Sequence, residues 1–312
     1  MPELPEVETV RLGLNQVTLA QPIRGGDVLL SRSIAHPLNV DEFLEGLKQV
    51  TITDWQRRGK YLLAKLAKSD SQEISFTTKE ENSGVAASPC PRVPASIAKR
   101  DAGWLGIHLR MTGQLLWLNQ EEPLSKHTRV RLFFPDNWEL RFVDIRTFGK
   151  MWWVKPSQTP ESIITGLQKL GPEPFCDEFS VEYLLRKLHN RQRAIKTALL
   201  DQSLVAGLGN IYADEALFLS GIRPETLGKT LSPEQIARLH RAIIQVLQTA
   251  IESGGTTFSN FLNVLGVNGN YKGIAWVYGR TGEPCRVCST PIQRVKLAGR
   301  SSHFCPNCQQ LP

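Results

Sequence analysis

The 312-residue chain reads as a multidomain α+β protein, with an N-terminal antiparallel β-sandwich begun by a helix, then a helical domain, then a four-cysteine finger. Three observations predict this. Short β-rich runs punctuated by Pro, Asn and Gly fill the first half, helical periodicity starts near Glu161, and two Cys-x2-Cys pairs lie close to the end.

The leading helix is read from MPELPEVETVRLGLNQV, where Leu4, Val7, Val10, Leu14 and Val17 fall near helical spacing as one buried stripe. Pro2 suits a first helical turn, where its missing N–H costs nothing, and Glu3, Glu6 and Glu8 suit the positive helix end. GGDVLLSRSI, QVTITDW, KYLLAKLA, GWLGIHLRM, QLLWL, TRVRLFF, WELRFVDI and MWWV then predict strands, spaced as an antiparallel sandwich or barrel rather than as βαβ units. This first domain covers residues 1–155. Within it residues 68–102 lack periodicity and are rich in Ser, Pro, Ala and charge, which predicts a long mobile loop inserted between two strands.

SIITGLQKL, SVEYLLRKLHN, AIKTALLD and NIYADEALFLS predict the helices of a second domain, 156–265. Ser232, Pro233 and Gln235 form a capping box before ARLHRAIIQVLQTAIE, which Gly254 and Gly255 terminate. Residues 266–312 hold Cys285-x2-Cys288, sixteen residues, then Cys305-x2-Cys308. Each pair can supply half of a tetrahedral Zn²⁺ site, with a hairpin between them, so one structural zinc is expected on Cys285, Cys288, Cys305 and Cys308. Two disulfides would need an oxidising compartment. His303 reads as a core or solvent residue beside a closed site, and Cys90 and Cys176 belong to no motif. Arg286, Arg294, Lys296 and Arg300 make the finger basic, with Arg300 near the hairpin tip.

Thirty-seven Lys and Arg against thirty Asp and Glu give a net charge of +7, which suits a polyanionic partner but also occurs in proteins that bind none. No run approaches the ~18 apolar residues of a membrane span, and no signal pattern precedes the acidic start. The expectation is a cytoplasmic, unexported protein with no membrane partner. If the initiator Met1 is removed, Pro2 carries a free amine. An α-amino group titrates near ~7.8 and a lysine near ~10.4, so at pH ~7.4 roughly a quarter of the first is neutral against about 0.1% of the second. Such an amine can attack a sugar carbon to give an iminium, and the adjacent Glu3 can move the protons.

The motifs PELPEVE, RRGKYLL, HLRMTG, GLGNIYADE and the closing four-cysteine finger together resemble the formamidopyrimidine-DNA glycosylase family, in order and over nearly the whole chain. The resemblance implies a monomeric, nucleoid-associated repair enzyme that flips an oxidised purine such as 8-oxoguanine from duplex DNA, cuts its glycosidic bond and nicks the strand. It implies Pro2 as nucleophile, Glu3 as the acid at the ring oxygen, Lys60 at the lesion phosphate and in β-elimination, and Arg300 at the phosphate and in δ-elimination. Glu6 matches a family glutamate near the site, though a first-turn helix charge would look the same, and Lys60 alone would read as a solvated strand-end lysine. Asn210, in a helix-two-turn-helix element, would cradle phosphate with its amide and neighbouring backbone N–H groups, although a capping asparagine reads identically. Met111, Arg146 and Phe148 match the three residues that fill the void left by the flipped base. His127 and Arg191 match further DNA-contacting positions, Lys196, counted with the DNA-binding residues, lies where a family lysine approaches the site, and Val264–Gly273 matches the loop over the flipped base. The insertion departs from the pattern and inherits no role. Two alternatives remain: an oxidised-pyrimidine glycosylase of endonuclease VIII type, and a non-catalytic nucleic-acid scaffold, which loss of Pro2 or Glu3 would favour; both residues are present.

Overall fold

The structure is a computed structural model that describes residues 1–69, 99–256 and 262–310. Most of the expected insertion, with Cys90, lies outside these residues. Helix α1 (Leu4–Val17) leads into β1 (Pro22–Ile23), β2 (Gly25–Val28), β3 (Ile34–His36), helix α2 (Val40–Leu47) and β4 (Val50–Arg58). Then come β5 (Tyr61–Ser69), β6 (Lys99–His108), β7 (Gly113–Asn119), β8 (Thr128–Phe133), β9 (Trp138–Asp144) and β10 (Lys150–Val154). One sheet runs β1-β4-β5-β6-β10-β3 and the other β2-β8-β9-β7. Between them lie Ile52, Trp55, Leu105, Ile107, Leu132, Leu140 and Phe142, with Val7, Val10 and Leu14 of α1.

Four expectations need correction here. Pro2 lies outside the first helix; Pro5 fills the first-turn position, and Glu3 is the N-cap. The sandwich is not wholly antiparallel, because β3 pairs with β10 in parallel. The insertion begins later and ends earlier than 68–102, since β5 and β6 continue pairing through Ala67–Asp101, Lys68–Arg100 and Ser69–Lys99. Helix α2 was not expected at all; Asn39 caps it by accepting from the Asp41 and Glu42 N–H groups, and Phe43 and Leu47 are buried.

The helical domain contains two four-residue turns, α3 (Pro160–Ile163) and α4 (Thr165–Gln168), where one helix was expected. It continues with α5 (Val181–Leu188), α6 (Ile195–Leu199), α7 (Asn210–Leu219) and α8 (Pro233–Glu252). The Ser232–Gln235 capping box is present, and Gly254 and Gly255 take left-handed φ of 72° and 78° just past the helix end. Leu4 packs into this second core with Leu208, Ile211 and Tyr212, while the later apolar residues of α1 face the β core. One helix therefore bridges both cores and delivers the N-terminus to their junction. Val264, expected at the end of the helical domain, packs instead in the β core. After α9 (Tyr271–Ile274), the finger hairpin is β11 (Gln293–Leu297) and β12 (Arg300–Phe304). No described helix is long and apolar enough to cross a membrane.

Candidate active site

The site is built around Glu3. Its carboxylate accepts from the Ile211 N–H at 3.0 Å and the Tyr212 N–H at 3.5 Å, two first-turn donors of α7 with no partner inside their own helix. Gly209, the residue before that helix, makes the approach possible, because a Cβ there would lie 2.3 Å from the Glu3 carboxyl carbon. Glu3 is 2% exposed. Burial raises its pKa above the ordinary carboxylate value, against the pull of Lys60 and the two backbone donors. A raised pKa suits a carboxyl that is to give a proton.

Glu6 is tied to the same network. Its carboxylate accepts from the Glu3 N–H at 2.7 Å, the Tyr212 hydroxyl at 2.5 Å and the Thr256 N–H at 2.9 Å. Burial, then the neighbouring Glu3 charge, pushes it up to about 7. A simple first-turn charge facing solvent does not describe it.

Lys60 sits in the turn between β4 and β5, only 7% exposed, so the solvated strand-end reading fails. The turn is pinned from the helical side: Glu173 accepts from the Gly59 N–H at 2.6 Å and pairs with Arg57 and Arg58 at 2.5 and 2.8 Å. Gly59 takes φ +56°, a conformation that glycine adopts without strain. Burial lowers the Lys60 pKa, which enlarges its neutral amine fraction, and Glu3 and Glu6 oppose this.

Met1, Lys60, Asn210 and Arg300 line one cleft of about 580 Å³ between the two cores, together with His108 and Arg110. Pro2 is buried immediately behind Met1. The His108 imidazole is pushed down to about 3, first by burial and then by Arg110 and Lys60, so it is neutral; its Nδ1 accepts from the Arg110 N–H at 3.0 Å, leaving Nε2 to carry the proton. Sequence reasoning missed His108, Arg110, Glu173, Tyr212 and Asp214. His108 and Arg110 stand inside the HLRMTG motif beside Met111, and that adjacency is the signal the sequence holds for them.

Asn210 is the first residue of α7 rather than its cap, which is Gly209. Its side-chain amide lies 3.5 Å from the Tyr278 hydroxyl. Of the backbone N–H groups next to it, those of Ile211 and Tyr212 are given to Glu3. Lys196 also departs from expectation. It is 1% exposed, with Nζ held 2.7 Å from Asp214, so it is an internal residue and not a surface DNA contact.

Met111 is half-buried, whereas Arg146 and Phe148 are exposed, with the guanidinium 5.0 Å from the ring centre. Core packing therefore does not explain Phe148. Buried Asp144 shapes their loop by accepting from the Thr112 hydroxyl and from the Arg146 and Gly149 N–H groups. His127 is half-buried, 3.3 Å from an Arg129 nitrogen, and Arg191 pairs with Asp201 at 2.8 Å. Cys176 is exposed and apart from the finger.

In the finger, the four thiol sulfurs of Cys285, Cys288, Cys305 and Cys308 all lie within 4.8 Å of one another, with individual separations of 3.4, 3.5 and 3.9 Å. These exceed a ~2.05 Å disulfide and surround the ~3.8 Å edge of a tetrahedron with ~2.3 Å Zn–S bonds. The donor set fits one structural Zn²⁺. Ala298 and Gly299, at φ 46° and 79°, make the tight turn that presents exposed Arg300 to the cleft. His303 is buried against Asp214, at 2.9 Å through its N–H and 3.1 Å through its ring.

Fold and site define the class that joins a helix-two-turn-helix domain to a zinc finger. The family described as Formamidopyrimidine-DNA glycosylase N-terminal domain matches residues 1–151, the Formamidopyrimidine-DNA glycosylase H2TH domain matches 170–261, and the Zinc finger found in FPG and IleRS matches 282–311. A formamidopyrimidine-DNA glycosylase of Nostoc punctiforme is 64% identical over 311 residues, covering 100% of this chain and 97% of that protein. A Synechococcus relative of the same name is 55% identical across 99% of each chain. Among solved structures, a Lactococcus lactis Fpg in complex with DNA containing an abasic site superposes with a TM-score of 0.81 at 34% identity, over 99% of both chains. The wild-type Lactococcus protein bound to DNA containing an oxidised pyrimidine also superposes at 0.81 and 34%, over 99% of this chain and 100% of that one. The chain belongs to the formamidopyrimidine-DNA glycosylase family.

Proposed function

We propose that this protein is a base excision repair enzyme, a DNA glycosylase and AP lyase that removes oxidised purines from duplex DNA. The observation that carries the reading is the seat of Glu3: a buried carboxyl beside Pro2, clamped by α7 behind the cleft that Met1, Lys60, Asn210 and Arg300 line. With Met1 removed, the Pro2 nitrogen forms a bond to C1′ of the lesion nucleoside as the bond from C1′ to the base breaks, and the N–H proton that the amine then sheds goes to the departing base. Glu3 gives its proton to the ring oxygen, the sugar opens, and the nitrogen lone pair completes an iminium.

The iminium acidifies C2′. Loss of that proton expels the 3′ phosphate in β-elimination, and a second elimination expels the 5′ phosphate. Lys60 serves the lesion phosphate and the first elimination, and Arg300 grips the phosphate for the second. Asn210, His127 and Arg191 hold the strand, with Glu6 as a buried brace beneath Glu3. Exposed Arg146 and Phe148 with Met111 fill the space vacated by the base. The zinc supplies no chemistry; its thiolates hold the hairpin that carries Arg300. The reading is of a monomeric enzyme that works on the DNA of the nucleoid.

An oxidised-pyrimidine activity is a second reading, favoured by the Lactococcus complex with such a lesion. Single-turnover excision on duplexes that differ only in the lesion separates the two. Faster release of 8-oxoguanine than of an oxidised pyrimidine supports the purine assignment, and the reverse order overturns it. Absence of both activities in protein beginning at Pro2 favours a non-catalytic scaffold.

A further inference from the structure

One buried ionic cluster has no part in the excision chemistry. Asp214 of α7, 0% exposed, pairs with Lys196 of α6 at 2.7 Å. Its other oxygen accepts the His303 backbone N–H at 2.9 Å and faces the His303 ring nitrogen at 3.1 Å. Lys196 in turn donates to the carbonyl of Ser301. Two helices of the DNA-binding domain thus grip residues 301 and 303 of β12, immediately after Arg300.

Zinc cannot do this job. All four thiolates belong to the finger, so the metal fixes the finger's internal shape without setting where it lies against α7. The hairpin is a two-stranded sheet with no third strand among the described residues. Taking both charges of a Lys–Asp pair out of water is costly, and packed apolar residues of similar volume commonly serve stability as well; the best-attested use of such a pair is to fix register. The same turn of α7 holds Glu3, through the Ile211 and Tyr212 N–H groups. One turn of one helix therefore touches both the group assigned to base release and the strand that bears the phosphate-gripping arginine.

We propose that Asp214 and Lys196 are a positioning pair that locks β12 against α7 and thereby sets the Arg300 guanidinium relative to Glu3 in the cleft. The inference rests on the DNA-repair reading, because Arg300 needs a DNA phosphate to act on. Neither residue touches DNA; both act through Arg300.

The test is a double-mutant cycle read as affinity for a duplex carrying a tetrahydrofuran abasic-site analogue, using zinc-loaded full-length protein. Asp214→Asn is expected to weaken binding about tenfold, yet to change it less than about twofold when Arg300→Ala is already present, because the residue it positions is gone. Metal analysis should still find one zinc per chain, and Lys196→Met, run through the same cycle, should repeat the pattern. Additive losses, or unchanged affinity in folded Asp214→Asn, overturn the proposal. So does failure of both Asp214→Asn and Lys196→Met to fold, which would make the pair a general stability element. If unsubstituted protein does not bind the duplex, the DNA-repair reading itself falls; if it binds and the cycle is additive, only the positioning claim falls.

Discussion

Replacing Gly209 with alanine should lower base excision about a hundredfold while the protein stays folded. Gly209 has φ −137°, extended backbone that any residue adopts, so alanine brings no strain of its own there. Its Cβ would nevertheless lie 2.3 Å from the Glu3 carboxyl carbon and 2.5 and 2.6 Å from its oxygens. Ordinary contact begins near 3.4 Å, so the carboxyl must retreat by about 1 Å. That retreat breaks or stretches the bonds from the Ile211 and Tyr212 N–H groups. A misplacement of ~1 Å at a reacting group can cost ~10²-fold in rate, equivalent to about 2.7 kcal/mol and within the ~1–3 kcal/mol range for a lost hydrogen bond of this kind. The assay is single-turnover release of 8-oxoguanine, with duplex affinity and melting temperature measured on the same preparation. Excision within about threefold of the unsubstituted protein, with the fold intact, would refute the claim that α7 must seat Glu3 where it does.

Three further outcomes are expected from the same geometry. Glu6 is raised from 4.5 to about 7, so the folded state holds its proton more tightly than the unfolded one; the stability this contributes is full below pH 4.5 and is lost as pH rises through 7, about 3 kcal/mol in all. Denaturant unfolding between pH 5 and 8 should show this loss, and Glu6→Gln should flatten it; an unchanged slope contradicts the burial argument. Chelation of zinc, or Cys305→Ser, should weaken lesion-duplex binding by collapsing the hairpin that carries Arg300 while the β-domain remains folded, and active protein free of zinc would end the claim. Joining Ser69 to Lys99, already paired across β5 and β6, with a short glycine turn should leave excision within about threefold, since each doubling of loop length costs only ~0.6 kcal/mol. A loss beyond tenfold in folded protein would assign the insertion a part of the DNA surface.

Local pattern carried the architecture a long way. The strands announced themselves by apolar runs between turn residues, the long helix by its capping box and terminal glycines, and the metal site by cysteine spacing alone. Pairing between distant segments was less legible, as in the parallel β3–β10 contact, which no sequence period encodes. Helix α2, with eight residues, is too short to show a sustained period, although Asn39 is a usable cap signal. At the site, residue identities were legible and environments were not. Lys60 and Lys196 look like any surface lysine until tertiary packing buries them, one against the Glu3 and Glu6 charges and the other against Asp214. Asn210 drew attention to a phosphate-binding helix end whose backbone donors in fact hold Glu3, a partner some two hundred residues earlier in the chain.

Borohydride trapping on an 8-oxoguanine duplex is the most direct test of the central claim, run on protein that begins at Pro2 and on protein with one uncleaved residue ahead of it. The account predicts a reducible covalent adduct with the first, mapping to Pro2 by peptide mass analysis, and none with the second. An adduct that persists in the extended protein and disappears in Lys60→Met would contradict it and move the nucleophile to the lysine.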